Sequence, residues 1–131
     1  MAGFSNAAAV RAYADVGLET GVDNAHPHRL IKMLFEGALL AVARARHAML
    51  AKDIASRGSA ISKAIQIIDE GLKASLVDTG EDLASNLRAL YDYMCHRLLI
   101  ASLKNDLGAI DEVTRLLNEL KDAWNAIDPT T

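Results

Sequence analysis

Apolar side chains recur every three or four positions along most of this chain, and short polar breaks divide the pattern into four long segments. At about 100° per residue, such spacing places the apolar residues on one face of a helix. The first segment opens at Pro27, since proline is favoured at the first helical position, where its missing N–H is not needed. Leu30, Ile31, Leu34, Phe35, Ala38, Ala41, Val42, Ala45 and Met49 share one broad face. Lys32, Glu36, Arg44 and His47 lie opposite, and the helix is expected to reach Ala51. After a break over Asp53 to Gly58, the second helix aligns Ile61, Ala64, Ile65, Ile68, Leu72 and Leu76 and ends at Asp78-Thr79-Gly80. Thr79-x-x-Asp82 resembles a capping box for the third helix, which aligns Leu83, Leu87, Leu90, Tyr91, Met94, Leu98 and Ala101. Asn105-Asp106 offers the next N-cap. The fourth helix aligns Ile110, Val113, Leu117, Leu120 and Trp124, with Leu116 at the edge and Pro129 as the stop.

These segments predict an all-α fold: an antiparallel up-down-up-down four-helix bundle over residues 27–127, because the connections are too short for long crossovers. Residues 1–25 have a different texture. They read as a short amphipathic helix over Ala7 to Asp15, followed by a glycine-punctuated linker, together a cap segment packed on the bundle. The whole chain, 1–131, is expected to be one domain.

Three helices carry more apolar surface than a bundle needs. Met33 and Leu40 fall on the polar side of the first helix, and Ile67 on that of the second. On the third, Tyr93 and Ile100 share one outer face, and Leu99 and Leu103 another. Strips of this kind mark a partner surface or a site covered by another part of the same chain.

Composition narrows the possible partners. The formal net charge is −3 without a basic stripe, which argues against nucleic acid. The longest apolar stretch, Gly37 to Ala43, is too short to insert in a membrane, and the N-terminus lacks the pattern of a signal peptide. Cys95 is the sole cysteine, which fits a reducing compartment, so a cytoplasmic location is expected.

Candidate chemistry is sparse. A di-iron bundle requires Glu-x-x-His pairs, and no glutamate here is followed by histidine three places later. His26 and His28 flank Pro27 and read as solvated residues at a helix start rather than as metal ligands. Asp92 and His96, one turn apart, read as a surface ion pair with no nucleophile beside them. Cys95 reads as a half-buried apolar residue. His47, exposed on a bundle helix, raises a histidine phosphotransfer domain, but the lysine and small residues expected just after the histidine are not in place. No catalytic residue, cofactor or metal is therefore expected.

Three stretches resemble the flagellin-specific export chaperone family, the FliS type. His26-Pro27-His28-Arg29-Leu30-Ile31-Lys32-Met33-Leu34-Phe35-Glu36-Gly37-Ala38 is similar to the opening of that family's first bundle helix. Asn86-Leu87-x-x-Leu90-Tyr91-Asp92-Tyr93-Met94-x-x-Arg97-Leu98 resembles its third helix. Glu112-Val113-x-x-Leu116-Leu117-x-x-Leu120-x-x-Ala123-Trp124 resembles its closing helix. Ala12-Tyr13 extends the likeness toward the N-terminus. Phe35 departs from the family's usual tyrosine and His26 from its usual serine or threonine.

The resemblance implies a cytosolic chaperone that binds the disordered C-terminal segment of flagellin along the outside of the bundle. It would prevent premature polymerisation and deliver its cargo to flagellar export apparatus components. The expected flagellin-binding residues are Tyr13 and Val16 in the cap segment with Ile65, Ile67, Ile68, Leu87, Tyr91, Tyr93, Met94 and Ile100. The angle count assigns Ile65, Ile68, Leu87 and Met94 to the core, and Ile67, Tyr93 and Ile100 to the surface. The chain is expected to be a monomer or weak homodimer. Another secretion chaperone, an adaptor for a different helical ligand, and a phosphotransfer domain stand as alternatives.

Overall fold

The computed structural model describes residues 27–78, 80 and 82–127. Among them are four α-helices and no strand: α1 (Pro27–Leu50), α2 (Ile54–Gln66), α3 (Asp82–Lys104) and α4 (Leu107–Asn125). A π-helical segment, Ile67–Lys73, extends α2. The cap helix and linker expected over residues 7–25, His26, the Thr79 cap and the Pro129 stop lie outside the described residues.

The helices pack around a core built from one stripe of each. Ile31, Phe35, Ala38, Val42 and Ala45 of α1 are buried, as are Ile61, Ala64, Ile68 and Leu72 of α2 and its extension. Leu87, Tyr91, Met94, Leu98 and Ala101 come from α3, and Ile110, Val113, Leu117 and Trp124 from α4. Each large side chain buried in this way contributes roughly 1.5–3 kcal/mol. No charged or polar residue is buried among the described residues, so the core holds no charge that needs compensation. α1 packs on α2 and α4, and α3 packs on the same two helices.

Asp53 starts α2 rather than opening a long break. Its carboxylate accepts hydrogen bonds from the Ser56 backbone N–H at 3.1 Å and from Ser56 Oγ at 2.7 Å, which satisfies a donor that would otherwise be orphaned at the helix start. The connection shrinks to Ala51–Asp53 instead of running to Gly58. Lys52 turns the chain there with a φ of 58°, in the left-handed region. Asp106 repeats the device for α4, accepting from the Ala109 N–H at 3.2 Å, behind Asn105 at a φ of 51°. Asparagine tolerates that conformation; lysine has less reason to.

The π segment is visible in the bond from the Ala74 N–H to the Asp69 carbonyl, five residues back, at 3.2 Å. Wider turns shift the register of the residues they contain. Ile67, expected on the outer side, is half-buried and packs against the core. It leans on the bare backbone of α1, where a Cβ added at Gly37 would sit 3.5 Å from Ile67 Cδ1.

His28 is not a solvated helix-start residue. Its Nε2 lies 2.8 Å from the Trp124 carbonyl oxygen, which can only accept, so Nε2 carries the proton. Trp124 Nε1 donates in return to the His28 carbonyl at 2.8 Å. The two rings stack with centroids 4.7 Å apart and an interplanar angle of 14°. The beginning of α1 is thereby fastened to the end of α4, while Arg46 and Asp111 join later α1 to early α4 at 2.8 Å.

Replacing His28 by Ala removes one hydrogen bond and one ring stack, so we expect a destabilisation of about 1–2 kcal/mol. Urea unfolding followed by circular dichroism measures it. The emission of Trp124, the sole tryptophan, should shift to longer wavelength in the folded variant as water reaches the indole.

Candidate functional surface

The outward side of α3 combines two faces. Tyr91 and Tyr93 are two residues apart, about 200° around the helix. Tyr91 is therefore fully buried while Tyr93 is 42% exposed. Ile100, two turns beyond Tyr93, is half-buried. Between them on the same face stands Arg97. Tyr93 Oη donates to Glu112 Oε2 at 2.7 Å, and Arg97 Nε donates to Glu112 Oε1 at 2.6 Å. Glu112 thus bridges α4 to two successive turns of α3.

This cluster tunes its members together. The Tyr93 proton held on the Glu112 carboxylate raises the phenol above its ordinary value, and partial burial adds to it. The same bond, with that from Arg97, holds the Glu112 carboxyl below its ordinary value. The Arg97 guanidinium is raised in turn by its hydrogen bond to Glu112. The Tyr93 face is therefore an aromatic ring pinned by a polar clasp, with an aliphatic residue beyond it.

The neighbouring face begins polar and ends apolar. Asp92 does not meet His96; its carboxylate accepts from Lys73 Nζ of the π segment at 2.6 Å. Lys73 also reaches Asp69 at 3.2 Å. A flexible ammonium lying between two carboxylates competes better for Asp92 than an imidazole one turn along. Farther along that face Leu99 and Leu103 are exposed, Leu103 to 84%. Met33 and Leu40, about half-exposed, form the outward apolar pair of α1.

The expected binding residues therefore divide. Ile68, Leu87, Tyr91 and Met94 are buried in the bundle core. Ile65 and Ile67 are half-buried and pack against it. Tyr93 and Ile100 face outward on α3, and Tyr13 and Val16 lie outside the described residues. Arg97 and Glu112 belong to the same surface and were not among the expected residues. The available signal was the i, i+4 step from Tyr93 to Arg97; the partner on α4 depends on interhelical register, which one-helix periodicity does not contain.

Nothing in this arrangement activates a nucleophile. Burial pushes the Cys95 thiol up to about 11, and the nearby carboxylates of Asp69 and Asp92 add to the shift. A thiol in that range holds almost no thiolate near neutrality. Among the described residues, no group of three His, Cys, Asp or Glu side chains is placed to hold a metal ion. No described helix is long and apolar enough to cross a membrane.

Comparison with known proteins shows the family to which the chain belongs. Residues 9–131 match the family model described as "Flagellar protein FliS". The chain is 50% identical over 124 residues to the "Flagellar secretion chaperone FliS" of Salmonella typhimurium, covering 94% of this chain and 92% of that protein. It is 44% identical to the "Flagellar secretion chaperone FliSB" of Pseudomonas aeruginosa, covering 91% and 94%. Its identity to the "Flagellar secretion chaperone FliS" of Escherichia coli is also 44%, with 87% and 85% covered.

Because Glu112 has a lowered folded pKa, its bonds stabilise the fold above the ordinary value of 4.5 and are lost as pH falls through the folded value. Glu112→Gln should therefore melt below wild type at neutral pH. The gap should close on acidification below 4.5, as thermal melts at stepped pH would record.

Proposed function

Because the chain belongs to the FliS family, a family of chaperones rather than enzymes, we propose that it is a cytosolic export chaperone for flagellin. It binds the disordered C-terminal segment of flagellin, prevents premature polymerisation and delivers the subunit to the flagellar export apparatus. What carries the reading is the outward side of α3, where Tyr93, Leu99, Ile100 and Leu103 stay at the surface of a bundle whose core is already filled. Four packed helices provide a firm support, and a disordered ligand provides the adaptable half of the interface. An amphipathic segment that folds into helix on such a support gains apolar contacts along i, i+3, i+4 and i+7. Part of that gain offsets the entropy of ordering the ligand.

Within this reading Tyr93 and Ile100 form the contact on one α3 face, and Tyr13 and Val16 of the cap segment cover part of it in the absence of cargo. The buried set, Ile68, Leu87, Tyr91 and Met94, acts as the floor that positions the wall. The chaperone works as a monomer or weak homodimer.

Isothermal titration of the protein with a flagellin C-terminal peptide should give saturable one-to-one binding and a negative heat-capacity change. Tyr93→Ala combined with Ile100→Ala should weaken binding by about tenfold or more, since two apolar contacts of about 1 kcal/mol each are removed. The melting temperature should fall only modestly. Tyr93→Phe keeps the ring and should bind close to wild type. A loss of binding that merely tracks a loss of folding in the double variant would remove these residues from the interface.

A further inference from the structure

A second surface lies between α1 and α2, and it shares no residue with the α3 face. It is an open groove of about 920 Å3 beside the tight connection of the two helices. Its lining runs from Ala41 to Ala51 on α1, ten residues or about 15 Å, nearly three helical turns. Ala41 and Ala48 are buried in its floor, and Ala60 is half-buried beside them. Ala51, Ala55 and Ser59 are exposed along its walls, and no bulky apolar side chain lines it. Among the described residues the space is open, its walls being built largely of short side chains.

The rim carries two cations, Arg44 and Lys63, and one carboxylate. Arg44 and His47 stand on α1 and Lys63 on α2, all exposed. None of the three has a carboxylate partner among the described residues. One carboxylate, Asp53, lines the groove, and its oxygens are engaged by Ser56 at 2.7 and 3.1 Å. Two exposed cations, Arg44 on α1 and Lys63 on α2, therefore flank a small-residue floor on a chain whose formal net charge is −3.

We propose that this groove docks an acidic amphipathic helix from a second protein partner, distinct from the flagellin segment on α3. Its length matches about three helical turns. Its alanine floor lets a helix backbone approach closely, since interhelical distance follows the size of the side chains at the contact. Its rim selects Asp and Glu on both flanks of the incoming helix, and complementary charge of this kind sets specificity and encounter rate. The partner's inward face carries Ala, Ser or Gly, because larger residues would hold the two backbones apart.

The test uses the full-length protein and a fluorescent synthetic helical peptide with an alanine inward face and glutamates on both edges. Fluorescence anisotropy at low salt should show saturable binding, weakened by raising salt above about 0.5 M. Arg44→Glu combined with Lys63→Glu should weaken it at least tenfold. Ser59→Leu, which fills the groove without altering charge, should abolish it. Both variants change exposed positions, and circular dichroism melts verify that the bundle is intact. A matched peptide with lysine edges should not bind. Equal binding of the two peptides, indifference to the charge reversal, or no saturation by about 1 mM peptide would overturn the proposal. So would displacement of the peptide by the flagellin C-terminal segment, which would make the groove part of the cargo path. A dimer in sedimentation that the peptide dissociates would overturn it as well, assigning the groove to a second copy of the chain. The cargo titration on α3 is independent of all these outcomes.

Discussion

The contact between α1 and α2 is the constraint from which much of this structure follows. Ala38, Ala41, Ala45 and Ala48 of α1 are buried, and Ala64 of α2 is buried with them. Short side chains allow two helices to approach closely, and close helices need a short connection. The chain meets that need with Ala51–Asp53 alone, Lys52 taking a left-handed φ and Asp53 capping the next helix at once. The opposite end of α1 is secured differently, by His28 and Trp124 exchanging hydrogen bonds across a stacked pair of rings. One end of the first helix is therefore held by packing and turn geometry, the other by directional polar contacts.

That division explains which features were legible in the sequence. The stripe residues follow from helical period alone, and Ile31, Phe35, Val42, Leu87, Met94, Leu98, Val113 and Leu117 are buried where the period puts them. The N-cap role of Asp106 was legible because asparagine and aspartate stand together between two periodic runs. Asp53 to Gly58 was read as a break, whereas Asp53 caps a helix that runs through Gly58. Inside a helix a single glycine costs only about 1 kcal/mol relative to alanine, which the Asp53 cap and the buried stripe beyond it offset. Ile67 was misplaced because the angle count assumes uniform α-helix, and the π turns begin at that residue.

The site was legible to a lesser extent, for a related reason. That Tyr93 and Ile100 share an outward face is a property of one helix, and single-helix arithmetic finds it. That Arg97 lies between them, drawn with Tyr93 to Glu112, depends on how α3 and α4 sit side by side. Asp92 is a similar case: sequence spacing favours His96, but the π segment brings Lys73 to it at 2.6 Å. Polar contacts that cross between helices depend on packing register, and small changes in that register exchange one partner for another.

The interleaving of charge with exposed apolar side chains has a physical consequence for a chaperone surface. A continuous apolar strip on α3 would bind a disordered segment well, but it would also pair with a second copy of itself. On the Tyr93 face, a tyrosine is followed by an arginine one turn later and an isoleucine two turns later. On the neighbouring face, Asp92 and His96 precede Leu99 and Leu103. A disordered ligand can choose side chains that match each alternation, placing apolar groups over Ile100 and polar groups over Arg97. Two copies of α3 have less freedom, because each brings the same fixed spacing. The spacing leaves apolar surface on α3 for a flexible ligand, interrupted on the Tyr93 face by a charge that Glu112 holds in place.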